Sequence, residues 1–237
     1  MTLDLTDRSA CFARNVPVVA LRVAVVDDNT VIRIGLPLLL PDFQFVGSYS
    51  DCESLVGERP AADVLILDLH LSGTGRFGVR QGVDAVRMCA DAGYRVCVYS
   101  NERRRHLLVR CLQAGARGVV HKAEPTRALR DAVRRVAAGE VVITPALVGL
   151  AELAERREQL PALTARQRAV LSARARGEAF RSIARRLGIS ERTAQEHWSV
   201  VTDKFAGYLR THSAADLERL LGLDSGALFP GEADLDW

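Results

Sequence analysis

The chain has 237 residues, 48% of them hydrophobic and 26% charged, with a formal net charge of +3. This length suits two domains better than one, and nothing in the composition resembles a disordered chain. No run approaches the roughly 18 apolar residues that span a bilayer, and five cysteines without CxxC spacing argue against a disulfide framework or zinc cluster and suit a cytoplasmic protein.

Residues 1–20 carry Asp4 and Asp7 and lack a basic start followed by an apolar stretch. They read as an N-terminal extension rather than a secretory leader. Short apolar, β-branched runs follow at 21–26, 64–67, 96–99 and 118–120, with a weaker one at 44–49. Helical patterns lie between them at 30–40, 82–92, 102–114 and 125–138. Continuous apolar strands alternating with helices predict an α/β domain over residues 21–139, a five-stranded doubly wound parallel sheet. Cys97 falls inside one of these runs and reads as core.

Ligand chemistry in such a sheet collects at the carboxyl ends of the strands. There the sequence places Asp27 and Asp28, Asp68, Ser100 and Lys122. A lone acid at a strand end is usually a cap or turn former, but five suitable residues at four strand ends form a coherent set. Three crowded carboxylates need a cation, and oxygen ligands suit Mg²⁺, held by Asp27, Asp28 and Asp68. Asp68 beside such a cation and Lys122 can act as a nucleophile toward a phosphoryl group, with Ser100 binding the product phosphate. Lys122 is one of only two lysines in a chain that otherwise uses arginine, and a guanidinium would not replace its compact charge.

On these residues the segment from Val23 to Gly139 resembles a response-regulator receiver, a flavodoxin-like fold: VAVVDDN, VLILDLHL, VCVYS and ARGVVHKAEP carry the acidic pair, the acceptor, the switch hydroxyl and the lysine. The resemblance implies phosphorylation of Asp68 by a sensor histidine kinase or a small phosphodonor. Three positions depart from the family pattern. Ser72 stands where a proline is usual, Gly82 comes fourteen residues after Asp68, and Val119 replaces the aromatic switch residue. The glycine-rich loop 71–81, with Arg76 and Arg80, is correspondingly long. These departures keep open a second reading, in which a small ligand or partner protein controls the domain instead of phosphate. His70 stands where aspartyl phosphatases usually place a second acid, so the chain reads as a regulator and not an enzyme.

Residues 140–160 read as a helical linker. Residues 161–223 then carry 11 basic and 6 acidic side chains, whereas 224–237 carry four acids and no base. Thr164 and Gln167 form a capping-box pattern, residues 179–187 fit a second helix, Gly188 permits a tight turn, and Ser190 can cap a third helix with the stripe Ala194, Trp198, Val201 and Phe205. Ser213 with Asp216 can open a fourth, with Leu217, Leu220 and Leu221 on its apolar side. This all-α segment resembles the LuxR-type helix-turn-helix of the NarL/FixJ response regulators, carried by Leu163-Thr164, Gly177, Ile183-Ala184, Leu187-Gly188-Ile189-Ser190 and Thr193.

That resemblance implies double-stranded DNA as partner, RNA polymerase as the downstream machine, and binding as a homodimer. In the third helix the outward residues Arg192, Gln195, Glu196, Ser199 and Asp203, with His197 near the boundary, are placed to meet base edges; Gln195 can read adenine and Glu196 can accept from cytosine. Arg181, Arg185, Thr193 and Lys204 suit backbone phosphates. Trp198 reads as core rather than a stacking platform. The fourth helix around Leu217 and Leu221 is one candidate dimer surface and the receiver another. The acidic tail 224–237 is expected to compete with DNA phosphates within a Debye length of about 8–10 Å.

Overall fold

The computed structural model describes residues 20–71 and 80–222. The N-terminal extension, most of the arginine-bearing loop and the acidic tail lie outside the described residues. Five strands, β1 (Arg22–Val26), β2 (Gln44–Tyr49), β3 (Val64–Leu67), β4 (Val96–Ser100) and β5 (Gly118–His121), pair in parallel in the order β2-β1-β3-β4-β5. Register pairs Val23 with Val64 and Leu65 with Val96, so alternate side chains of the central strands leave on opposite faces. Val23, Val25, Val64, Ile66 and Cys97 pack against α1 (Thr30–Leu39) and α5 (Thr126–Ala137). Ala24, Val26, Leu65, Leu67 and Val98 pack against α2 (Cys52–Glu58), α3 (Gly82–Asp91) and α4 (Arg105–Gln113). Both faces are covered, which is why these strands read as unbroken apolar runs.

Helix α2 is absent from the sequence reading. It has seven residues, too few for a periodic stripe, and its local signal is Asp51, whose carboxylate accepts from the Ser54 amide as an N-cap. Gly82 opens α3 at φ 58°, a left-handed conformation that explains the glycine there, and its amide donates to the Leu69 carbonyl, closing the long loop. Burial pushes the Cys97 and Cys111 thiols up to about 12, so both are core residues with little thiolate.

The linker is part of the core. Val142 forms a parallel bridge with Gly118 at the free edge of β5, and α6 (Pro145–Arg156) then buries Leu147, Val148 and Ala151. One apolar cluster runs from β4 through α6 to the four C-terminal helices, α7 (Ala165–Ala175), α8 (Phe180–Leu187), α9 (Glu191–Thr211) and α10 (Ala214–Leu221). The caps stand where the sequence placed them. Thr164 and Gln167 complete a capping box, Ser190 accepts from the Thr193 amide, Gly188 takes a left-handed C-cap at φ 63°, and Ser213 caps α10. Ala194, Trp198, Val201 and Phe205 are all buried, and the Arg174 guanidinium lies 4.7 Å from the Phe180 ring and 5.8 Å from Trp198. Leu217 corrects one residue of the dimer expectation. It is fully buried, so it serves the domain core and is closed to a second copy. The side chains of Leu220 and Leu221 lie outside the description.

Candidate phosphoacceptor site and DNA-reading surface

Because β1 and β3 are neighbours at the point where strand order reverses, their carboxyl ends bring Asp27, Asp28 and Asp68 together, with one carboxylate oxygen of each within 4.8 Å of those of the others. Asp27 and Asp68 are nearly inaccessible, at 2% and 5% exposure. Lys122, from the turn after β5, reaches back over β4. Its Nζ donates to Asp27 Oδ2 at 2.8 Å and to Asp68 Oδ2 at 2.6 Å. Asp68 Oδ1 accepts from the Leu69 amide at 2.7 Å, and Asp27 Oδ1 from the Asn29 amide at 2.8 Å. These amides hold the carboxylates so that their remaining lone pairs face the crevice.

Burial pushes the Asp27 carboxyl above its usual range even though Lys122 and the Asn29 amide pull it down. Burial alone would lower Lys122, but its bonds to the two aspartates outweigh that and hold it above the ordinary ammonium range. Three carboxylates face one ammonium here, so the crevice carries surplus negative charge. An oxygen-only ligand set with surplus negative charge fits a hard divalent cation such as Mg²⁺.

Ser100 is buried at the end of β4, its Oγ 3.4 Å from His70 Nδ1. The far side of that ring, Nε2, lies 4.0 Å from Glu102 Oε2. Glu102 in turn accepts from the amides of Arg103 and Arg104 and from the Arg104 guanidinium, which together hold its carboxyl below the usual range although burial opposes them. The Ser100 hydroxyl is thus connected through His70 to the N-terminus of α4. The sequence reading missed both His70 and Glu102 as neighbours of Ser100. Their only signal was position, two residues beyond Asp68 and Ser100.

In the C-terminal helices Arg181, Arg185, Arg192, Gln195 and Glu196 are exposed, and Thr193 and His197 partly so. Arg192 and Glu196 pair with each other at 2.9 Å. Thr193 Oγ1 bonds Ser190 Oγ at the start of α9. Two placements differ from expectation. Lys204 Nζ donates to the Ala162 carbonyl at 2.6 Å, tying α9 to the chain before α7 instead of pointing to a phosphate. Asp203 meets the backbone of Val141, and burial there raises its carboxyl despite that bond, so it faces the linker rather than a groove.

The sequence could not reveal where this surface points. Arg192, Gln195, Glu196 and Ser199 line one wall of a cleft of about 750 Å³ whose other wall is Asp131, Arg135 and Glu140 from α5 and the turn after it. Recognition by such a helix requires its N-terminal half to enter a major groove about 12 Å wide. These side chains are open to solvent, but α5 stands opposite them across the cleft. The far end of α9 is held as well: Gln113 Nε2, at the end of α4, donates to the carbonyls of Leu209 and His212, each at 3.0 Å.

Among known proteins, the family model for bacterial regulatory proteins of the luxR family matches residues 161–219. The chain is 30% identical over 186 residues to the nitrate/nitrite response regulator protein NarL of Escherichia coli K12, covering 74% of this chain and 84% of that protein. It is 26% identical over 217 residues to the glycerol metabolism activator of Pseudomonas putida, covering 83% and 96%. A solved structure of two RcsB dimers bound to two parallel DNAs shares the fold, with TM-score 0.50 and 20% identity over 86% of this chain and 98% of that one. A receiver sheet joined to a luxR-family helix-turn-helix, with matches that run through both, places the chain in the NarL/FixJ-type response regulators, DNA-binding proteins that control transcription.

Proposed function

We propose that Asp68 is the phosphoacceptor and that its phosphorylation releases the DNA-reading surface of α9 from the receiver. The observation that carries this is the Lys122 ammonium spanning Asp27 and Asp68 at 2.8 and 2.6 Å, in a crevice that still holds surplus negative charge. Asp27, Asp28 and Asp68 would hold Mg²⁺, which when bound neutralises charge on the transferring oxygens. An Asp68 carboxylate oxygen attacks phosphorus, the bond from phosphorus to the donor breaks, and its electron pair leaves with the donor. The phosphodonor is a sensor histidine kinase or a small acyl phosphate. Lys122 and Ser100 then take oxygens of the phosphoryl group. No turnover of an outside substrate is needed, because the output is DNA binding.

Residues 21–139, 140–160 and 161–223 serve as receiver, linker and DNA-binding units, with the acidic segment 224–237 as a tail that would compete for the basic domain. Drawing Ser100 toward a phosphoryl group breaks its contact with His70 and so reaches Glu102 and the start of α4. Helix α4 packs on both α6 and α9, so its displacement loosens the closed arrangement. Freed α9 helices from two copies would read half-sites about 10 base pairs apart, recruiting RNA polymerase. The receiver is the other candidate surface for pairing. Val31, Ile34 and Leu38, each more than 60% exposed, form an apolar stripe along α1.

Base and phosphate contacts are separable by mutation. Gln195→Ala should relax base preference at a cost of about 1–3 kcal/mol if the amide makes a bidentate contact. Arg181→Ala should weaken all sequences alike and flatten the dependence of log affinity on log salt by about one unit. Competition binding with substituted operators, repeated across salt concentrations on phosphorylated protein, distinguishes the two. A Gln195→Ala protein with unchanged sequence preference would remove Gln195 from the reading set.

A further inference from the structure

The α1 side of the receiver carries a surface that neither the phosphoacceptor crevice nor the recognition helix uses. Along α1, Val31, Ile34 and Leu38 stand at positions i, i+3 and i+7, so they form one row, and they are 77%, 63% and 78% exposed. Along α5, Arg127, Arg130 and Arg134 repeat the same spacing. The two helices cover the same face of the sheet, and Arg130 donates to the Leu39 carbonyl at the end of α1 at 3.0 Å. An apolar row therefore runs beside a basic row. Asp42 accepts from Arg130 and Arg134 and offsets one of the three charges, and Arg127 is exposed at the head of the row.

An occupant of this face must bring apolar side chains and acids together. A second α1–α5 face laid against it would bring the same basic row and only its own Asp42, so like charges oppose that contact. One segment of the chain has the complementary character. Residues 224–237, outside the described residues, carry four acids and no base, and Glu232, Asp234 and Asp236 alternate there with Ala233, Leu235 and Trp237. Laid out in extended form, that alternation sends acids to one side and apolar side chains to the other.

The tail starts on the opposite side of its own receiver. Helix α10 packs on α6 and α6 on α4, which covers the other face of the sheet from α1. A path from there to the α1 row must pass about 19 Å of strands from β5 to β2, as well as the helix layers on both faces. That is longer than the roughly 33–36 Å that the ten residues after Gly222 can span. The row within reach is that of a second copy.

We propose that two copies pair by exchanging tails, residues 232–237 of one lying along α1 and α5 of the other. Leu235 and Trp237 cover the apolar row, and the acids face Arg127, Arg130 and Arg134. The exchange rests on the homodimer reading above and not on Asp68. A tail held by the other receiver no longer competes for the basic helices of its own copy, so pairing favours DNA binding.

The test is sedimentation of the full chain, untreated and after Mg²⁺ and acetyl phosphate, with phosphoryl uptake read separately by mass. Wild type should dimerise in at least one state. Ile34→Glu, at an exposed position, and Leu235→Ser combined with Trp237→Ser should each weaken the dimer at least about 100-fold, because a symmetric pair carries every substitution twice. Arg127→Glu should weaken it about 10-fold. The decisive sample mixes Ile34→Glu chains, whose tail is intact, with tail-substituted chains, whose face is intact. One sound contact remains between unlike copies, so the mixture should form dimers at about 100 µM that neither variant forms alone. Wild type that stays monomeric in both states, pairing unaltered in either receiver variant, dimers that survive the tail substitutions, or a mixture that stays monomeric overturns the proposal.

Discussion

Incubated with Mg²⁺ and acetyl phosphate, the full chain should gain the mass of one phosphoryl group, and Asp68→Asn should gain none. Asparagine keeps the shape of the side chain and its bond from the Leu69 amide, but it removes the anionic nucleophile. The effect is therefore all-or-none and does not depend on a change in fold. Phosphorylation adds about −1.5 to −2 charges to a crevice already short of positive charge, so uptake should require the divalent cation and fail in chelator. Asp28 and Asp27 hold carboxylates of similar reach, and a mass gain that survives Asp68→Asn would move the acceptor to one of them. Intact mass spectrometry reads the outcome directly.

Gln113→Ala should raise the DNA affinity of the unphosphorylated chain by roughly 10-fold and leave that of the phosphorylated chain unchanged. Gln113 Nε2 supplies two hydrogen bonds to the Leu209 and His212 carbonyls, and these exist only while α4 and α9 are docked. Two neutral hydrogen bonds contribute about 1–3 kcal/mol net, and 1.4 kcal/mol is a factor of ten in the closed-to-open ratio. If the closed form dominates before phosphorylation, apparent affinity is reduced by the small open fraction, and loosening the closed form raises it in proportion. Fluorescence anisotropy with an operator fragment at fixed salt measures both states. Equal affinities for wild type and variant before phosphorylation would mean that the α4–α9 contact does not limit access to DNA.

Much of this architecture was legible from the residues alone, for physical reasons that can be named. A parallel strand buried on both faces must be apolar throughout, so Val23–Val26 and Val64–Leu67 announce themselves. Polar residues at the ends of such strands have one crevice to share, which is how Asp27, Asp68, Ser100 and Lys122 were assembled from positions far apart in the chain. The caps at Thr164, Ser190 and Ser213 are local chemistry, and each stands where it was expected. What was not legible depends on contacts between surfaces. The polar wall of α5 and the polar face of α9 look equally solvent-ready in sequence, and nothing in either shows that they oppose one another. Lys204 reads as a cation for phosphate until the Ala162 carbonyl is seen beside it. Leu217 reads as a free apolar face until α6 is seen packed on α10 and the side chain is found buried. Gln113 has ordinary sequence surroundings, and only the fold shows that it grips the end of α9.

The most direct test of the account is the affinity of the full chain for operator DNA before and after phosphorylation, at one salt concentration, with Asp68→Asn measured alongside. Opening an arrangement in which α5 stands across a cleft from Arg192, Gln195 and Glu196 should raise wild-type affinity at least about 10-fold on treatment with Mg²⁺ and acetyl phosphate, while Asp68→Asn stays at the untreated value. Wild-type protein that carries the phosphoryl group and binds DNA no more tightly than before would contradict the claim that this modification frees the recognition helix.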